Sequence, residues 1–171
     1  HNCTYALADE LSSDFRVIAI DRPGSGYSTR DDDELAALPA QAGMIGDFLD
    51  KLGVDKPVLV GHSLGGALSL AMALDRKDRI GSLALLAPLT AVIPAPPAVF
   101  KPLVVRSAFL RRLIGYTVAA PVAKLTSETV VAQVFAPEKG PADFMTRGGG
   151  MLGLRPSSFI GASTDLQGVT M

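Results

Sequence analysis

The sequence predicts an α/β fold in which a parallel sheet carries helices on both faces. Three apolar runs have the length and branched side chains of buried strands, at 15–20, 57–60 and 80–87. An amphipathic helix at 38–52 and a run of helix formers at 67–74 separate them. Alternation of strand and helix at these spacings is typical of parallel strands joined by crossover helices.

Composition limits the function classes. The chain has 171 residues, 48% of them hydrophobic and 19% charged, with a net charge of -1. This suits one ordinary domain and gives no basic stripe for nucleic acid. The single cysteine, Cys3, excludes a disulfide framework and is expected to be a free thiol, and the terminal His1 is expected to be solvated. No run of about 20 apolar residues predicts a membrane span.

The first third supplies its elements in order. Apolar residues at helical spacing predict a short helix within 1–13. The turn formers of DRPGSGYS at 21–28 predict a structural loop, because their spacing does not match a phosphate-binding G-x-G-x-x-G pattern. The acidic run at 31–34 is interpreted as a solvated helix start and not as a metal site. No signal peptide is recognisable, which favours the cytoplasm, although the first residue is not Met.

The most informative stretch is VLVGHSLGGALSLAMAL at 58–74. A short strand leads into GHSLGG, and helix formers follow it. In this context G-x-S-x-G forms a nucleophile elbow, a tight turn with serine at its apex. Gly61 and Gly65 are expected there because a side chain at either position would collide with the neighbouring strand or helix, so that Gly65→Val should disrupt the turn. Gly66 is assigned to the same turn.

Ser63 is the predicted nucleophile. The turn would push its hydroxyl out of the sheet and aim the backbone N–H of Leu64 toward a developing oxyanion. An alternative interpretation makes Ser63 only the N-cap of the helix, since serine often precedes an apolar helix. His62 is interpreted as a packing or hydrogen-bonding residue of the turn and not as the general base.

The second half of the chain is predicted to be helical. A cluster of prolines that begins at Pro88 marks a boundary. We therefore expect a core over residues 1–88 and a helical cap or lid over 89–171. The first predicted element there is an apolar helical stripe at 100–114, followed by a longer helix at 118–134 with an internal start at Ser127. A glycine-rich loop at 143–154 and a short last helix at 155–162 follow.

Three segments together resemble the α/β-hydrolase family: RVIAIDRPGSGYS at 16–28, the stretch at 58–74, and LALLAP at 83–88. They match the strand and turn before the first covering helix, the nucleophile strand with its elbow, and the strand that leads into the cap. The resemblance covers about the first half of the chain. It implies a partial α/β-hydrolase core with a cap, a serine nucleophile, a small-molecule acyl substrate such as a carboxylic ester, and neither cofactor nor metal.

The chain departs from the family in its triad. The family order is serine, then an acid, then histidine, but no histidine follows Ser63. The resemblance therefore implies that the acid and the base lie outside this chain, which would be an internal piece and a poor enzyme alone. Two hypotheses stay open: a serine hydrolase, or a non-catalytic, hydrolase-like binding or scaffold protein.

Overall fold

The computed structural model describes residues 5–91, 96 and 98–169. Within them the chain forms helices α1 (Tyr5–Leu11), α2 (Leu38–Lys51), α3 (Leu64–Asp75), α4 (Ala108–Ile114), α5 (Ala120–Phe135) and α6 (Pro156–Val169), and strands β1 (Val58–His62) and β2 (Ser82–Leu86). Short 3-10 helices lie at Asp33–Ala36, Lys77–Arg79, Ala98–Leu103 and Gly150–Leu154, and one π-helical segment, Gly115–Ala119, joins α4 to α5. The expectations for His1 and Cys3 lie outside the described residues.

The chain divides into two compact units. The first unit is 1–29 with 96–166, and the second unit is 30–95 with 167–171. Residues 1–29 thus group with the later part of the chain. The predicted division into a core over 1–88 and a cap over 89–171 stays a prediction.

The second unit contains a β-α-β crossover. Strands β1 and β2 pair in parallel, with Val58 opposite Ser82 and His62 opposite Leu86. Helix α3 connects the two strands and packs against β1, while α2 packs against α3. The predicted α/β class, the parallel pairing and the positions of these four elements are confirmed.

The strands are less buried than the sequence predicts. Side chains of β1 alternate, with Val58 and Val60 exposed, Leu59 half-buried and Gly61 buried. This is the period of a strand with one covered face. The expectation of strands buried on both faces is wrong for the described residues, because α3 packs on the face of β1 that carries Gly61, while Val58 and Val60 on the opposite face are exposed.

The run FRVIAI at 15–20, predicted as a third strand, is irregular. It belongs to the first unit, in which the described residues form no strand. An extended segment becomes a strand only when a neighbour pairs with its N–H and C=O groups, and apolar content cannot supply that neighbour.

The loop at 21–28 is a turn, as predicted. The amide of Tyr27 donates to Asp21 Oδ2 at 3.0 Å, and Ser28 Oγ donates to the Asp21 carbonyl at 2.8 Å. Arg22 pairs with the buried carboxylate of Asp165 in α6 at 2.7 Å. The loop is therefore held both by its own polar groups and by a helix that lies far along the chain.

The helices of the second half differ from expectation in their bounds. Helix α5 runs through Ser127 without interruption, so the predicted internal start there is wrong. Helix α6 extends from Pro156 to Val169, seven residues past its predicted end at Ala162 (169 − 162). In the described part of the chain, none of the helices is both long and apolar enough to cross a membrane.

Candidate active site

The candidate site is the turn at the carboxyl end of β1. Ser63 follows β1 directly and precedes α3, with φ 51° and ψ −119°. A non-glycine residue rarely adopts such a backbone conformation, and strain of this kind is often found at functional sites. The side chain of Ser63 is exposed to solvent. A serine with a strained backbone thus presents its hydroxyl at the carboxyl ends of the parallel strands, where ligands commonly bind.

The N-cap alternative can be examined directly. Ser63 occupies the N-cap position of α3, but its side chain makes no capping hydrogen bond. Its hydroxyl also makes no other hydrogen bond with the described residues. A capping serine has extended φ and ψ and accepts from the amide two or three residues on. Neither property holds at Ser63, so side-chain capping does not explain the serine.

The backbone of Ser63 is fixed by hydrogen bonds on both sides. Its amide donates to the carbonyl of Leu86 at 3.1 Å. Its carbonyl accepts from the amides of Gly66 at 3.0 Å, Ala67 at 3.2 Å and Leu89 at 3.0 Å. The amide of Leu64, the first residue of α3, has no hydrogen-bond partner among the described residues, as is usual for a first-turn amide.

Two of the three glycines in the turn are required by contact. A Cβ at Gly61 would lie 2.6 Å from both the Gly65 carbonyl oxygen and Ser69 Oγ. A Cβ at Gly66 would lie 2.6 Å from the Cβ of Pro88. A Cβ at Gly65 would meet nothing within 4 Å. The predicted collision at Gly65 is therefore wrong, and the crowding lies at Gly61 and Gly66, where α3 crosses the end of β1 and the segment after β2.

His62 does not support the turn through its side chain. It is exposed, and its ring makes no hydrogen bond with the described residues. Side chains alternate along a strand, so His62 faces away from the side on which Gly61 packs against α3. The predicted packing or hydrogen-bonding role is not seen. His62 is also the only histidine among the described residues.

Sequence reasoning missed the segment after β2. Ala87 has φ 41°, and it follows Leu86, the residue that pairs with His62. The two strands therefore end at the same level, each followed by a non-glycine residue of positive φ. The Ala-Pro pair after an apolar run was the available signal, but nothing in the sequence shows that Ala87 adopts a left-handed conformation.

Charged groups cluster at another place in the second unit. Arg76 binds Asp47 at 2.5 Å and Asp50 at 2.8 Å, and Arg79 binds Asp50 at 2.6 Å. The hydrogen bond from Arg79 holds the pKa of Asp50 below its usual value. The described residues contain no group of three or more potential metal ligands. These charged groups pair with one another, and we interpret them as surface ion pairs that link α2 to the end of α3.

The chain belongs to the alpha/beta hydrolase fold family. The family model matches residues 1–148, which include the strand, the turn and the helix around Ser63. This membership agrees with the parallel β-α-β unit and with a strained serine at the end of its first strand.

Curated relatives carry several names. The chain is 37% identical over 82 residues to the dihydrolipoyllysine-residue acetyltransferase component of an acetoin cleaving system from Cupriavidus necator. The matched segment is 47% of this chain and 21% of that protein. It is 37% identical over 70 residues to haloalkane dehalogenase 2 of Mycobacterium tuberculosis, and the matched segment is 41% of this chain and 24% of that protein. It is 36% identical over 77 residues to esterase YbfF of Escherichia coli, and the matched segment is 45% of this chain and 30% of that protein. The chain thus spans less than a third of each relative.

Proposed function

We propose that the chain is the part of a serine hydrolase that carries the nucleophile Ser63, and that the substrates are carboxylic esters or related acyl compounds. The observation that carries the proposal is the backbone of Ser63, which has φ 51° between β1 and α3 and an exposed hydroxyl. Family membership and the similarity to an esterase support the reaction class.

The reaction would proceed through a covalent acyl-enzyme. A histidine base takes the proton of the Ser63 hydroxyl, and Oγ forms a bond to the carbonyl carbon of the ester. The amide of Leu64 donates to the oxyanion of the tetrahedral intermediate. The histidine then gives the proton to the departing alcohol as the carbon–oxygen bond of the ester breaks. In the second half of the reaction the histidine takes a proton from water, the water oxygen forms a bond to the acyl carbon, and the bond to Ser63 Oγ breaks as Oγ takes the proton back, which releases the acid. In this proposal the base and the acid that orients it come from outside the chain, because no histidine follows Ser63.

The helices that follow β2 bear on the kind of substrate. Helices α4 and α5 expose large apolar side chains, among them Phe109 at 74% and Leu125 at 85%. A cap in this family covers an acyl site, and such sites are mostly apolar. We propose that the helical segment after β2 contributes this cap, which favours small hydrophobic acyl groups as substrates.

The test is covalent labelling with a fluorophosphonate of the longer protein that contains this chain together with the proposed base and acid. We expect adduct formation on Ser63 and its loss in Ser63→Ala, while Ser82→Ala, which changes an exposed serine of β2, keeps the adduct. In the same longer protein, hydrolysis of a short p-nitrophenyl ester should fall by roughly 10⁶-fold in Ser63→Ala.

The alternative, a non-catalytic binding protein, predicts a different result. The wild-type protein would then bind an ester analogue without forming an adduct and without turnover. Labelling that persists in Ser63→Ala would contradict the assignment of the nucleophile.

A further inference from the structure

The segment that leaves β2, Leu86–Leu89, contacts the candidate nucleophile through its backbone at two points. The carbonyl of Leu86 accepts from the amide of Ser63 at 3.1 Å, and the amide of Leu89 donates to the carbonyl of Ser63 at 3.0 Å. Both peptide groups of Ser63 are therefore bonded to one four-residue segment. We call this segment the β2 exit.

The conformation of the β2 exit is itself unusual. Ala87 has φ 41°, and among the described residues only Lys56, Ser63 and Ala87 are non-glycine residues with positive φ. A residue with a Cβ rarely adopts positive φ, because the Cβ crowds the backbone carbonyl there. Two residues after Ala87, the amide of Leu89 donates to the carbonyl of Ser63. Strain in the β2 exit and strain at Ser63 are thus joined by hydrogen bonds.

Packing holds the β2 exit in place from the other side. A Cβ at Gly66 would lie 2.6 Å from Pro88 Cβ and 2.9 Å from Pro88 Cα. Gly66, the second glycine of α3, has no side chain, and this allows the helix to lie directly against Pro88.

The bond from Leu89 has a particular consequence for chemistry. The carbonyl of Ser63 and the amide of Leu64 belong to the same planar, trans peptide group, so their bond directions are opposed. A donor that fixes the carbonyl also fixes the direction of the Leu64 N–H. A carbonyl that accepts hydrogen bonds also polarises its own peptide group and makes that N–H a stronger donor.

We infer that the β2 exit positions the oxyanion donor, and that Leu89 is a positioning residue which acts through its backbone amide on the Ser63–Leu64 peptide group. The inference rests on the proposed function for its effect on rate, but the geometry that it describes does not require turnover. It assigns a role to the backbone N–H of Leu89 and none to its side chain.

The sharpest test replaces the amide of Leu89 by an ester through incorporation of the matching α-hydroxy acid, which removes the N–H and keeps the side chain. Thr90 receives the same change as a control, because its amide makes no hydrogen bond with the described residues. The changes are made in the longer protein that contains this chain together with the proposed base and acid, and steady-state hydrolysis of a p-nitrophenyl ester is measured for each variant.

We expect kcat to fall about threefold to tenfold in the Leu89 ester with KM little changed, since one neutral hydrogen bond contributes about 0.5–1.5 kcal/mol. The Thr90 ester should keep the wild-type kcat. An unchanged kcat in the Leu89 ester, or an equal fall in the Thr90 ester, would overturn the inference.

A structural readout separates this inference from the proposed function. The one-bond Cα–Hα coupling of Ser63 and the amide proton shift of Leu64 are measured by NMR in the same proteins. If the wild-type protein shows no Ser63-dependent turnover, the proposed function has failed and these signals decide alone. A change confined to the Leu89 ester supports positioning, and identical signals in all the proteins refute it.

Discussion

At Ser63 the chain passes from strand to helix through φ 51° and ψ −119°, a conformation that few side chains tolerate. The surrounding backbone makes it possible. Gly61 lets the Gly65 carbonyl and the Ser69 hydroxyl approach within 2.6 Å of where a Cβ would lie. Four backbone hydrogen bonds then hold the amide and the carbonyl of Ser63. The strain is local, and the residues that permit it are its immediate neighbours.

The two glycines of the turn motif should respond differently to substitution. We expect Gly61→Ala to lower the free energy of unfolding by about 1–3 kcal/mol, because the new methyl group would meet backbone atoms that cannot move away. Gly65→Ala, the matched control, adds the same methyl group where nothing lies within 4 Å and should cause no loss. Urea unfolding of both variants measures the difference. Equal destabilisation would show that the crowding at Gly61 is not as described.

At the scale of elements, the helices differ in how many of their residues are buried. Helix α3 buries Gly66, Ala67, Leu68, Ser69 and Met72. Helix α5 has a similar length, yet it buries none of its residues among the described part of the chain. Helix α6 is intermediate, because its buried positions include Gly161 and Asp165, which face the loop at 21–28.

The contact between α6 and that loop depends on a small residue. A Cβ at Gly161 would overlap the carbonyl oxygen of Gly24. We expect Gly161→Ala to cost about 1–3 kcal/mol of stability in the first unit. Gly168→Ala in the same helix should cost less, since its Cβ would find its nearest neighbour at 4.0 Å. Thermal unfolding followed by circular dichroism compares the two, and a larger loss in Gly168→Ala would contradict the packing.

The ion pairs at the end of α3 predict a pH dependence. The hydrogen bond from Arg79, followed by the charges of Arg79 and Arg76, lowers the folded-state pKa of Asp50 below the ordinary value of 3.8. A lowered carboxyl pKa contributes stability that is complete above the unfolded-state value and is lost as the pH falls through the folded-state value.

Asp50→Asn should therefore lose less stability than the wild type between about pH 5 and about pH 2. Asp78→Asn is the control, because Asp78 makes no ion pair with the described residues. The urea midpoint measured across this range checks the expectation. Parallel pH profiles for the wild type and Asp50→Asn would show that the pairs with Arg76 and Arg79 do not contribute.

For the whole molecule, apolar burial is uneven. The buried hydrophobic residues all lie in the second unit: Ala36, Ala42, Ile45, Leu49, Ala67, Leu68 and Met72. In the first unit the buried side chains among the described residues are polar or charged, namely Arg111, Ser163, Thr164 and Asp165. Since apolar burial is the main favourable term in folding, we expect the second unit to be the more stable of the two.

Hydrogen exchange tests this difference. Amides of α3 should exchange most slowly, and amides of α5 should exchange at least about tenfold faster, because local opening of a helix with no buried residues exposes little apolar surface. Exchange followed by mass spectrometry on peptides from both helices gives the ratio. Equal protection of α3 and α5 would show that something other than the described contacts covers α5.

The sequence predicted the parts of the fold that depend on neighbours along the chain. Helix α2, strand β1, the turn at Ser63 and helix α3 follow each other closely, and their hydrophobic periods and glycines indicate each element. The same reasoning located the candidate serine, because a strand, G-x-S-x-G and a helix are adjacent in sequence.

Only the tertiary structure decided what depends on distant residues. The run at 15–20 has the composition of a strand but no strand beside it, and Gly65 stands in the motif without a close neighbour while Gly66 lies against Pro88. The hydrogen bond from Leu89 to Ser63 joins positions that are 26 residues apart (89 − 63). Local sequence determines the dihedral preferences and the hydrophobic period, whereas contacts between separated segments arise only when the chain has folded.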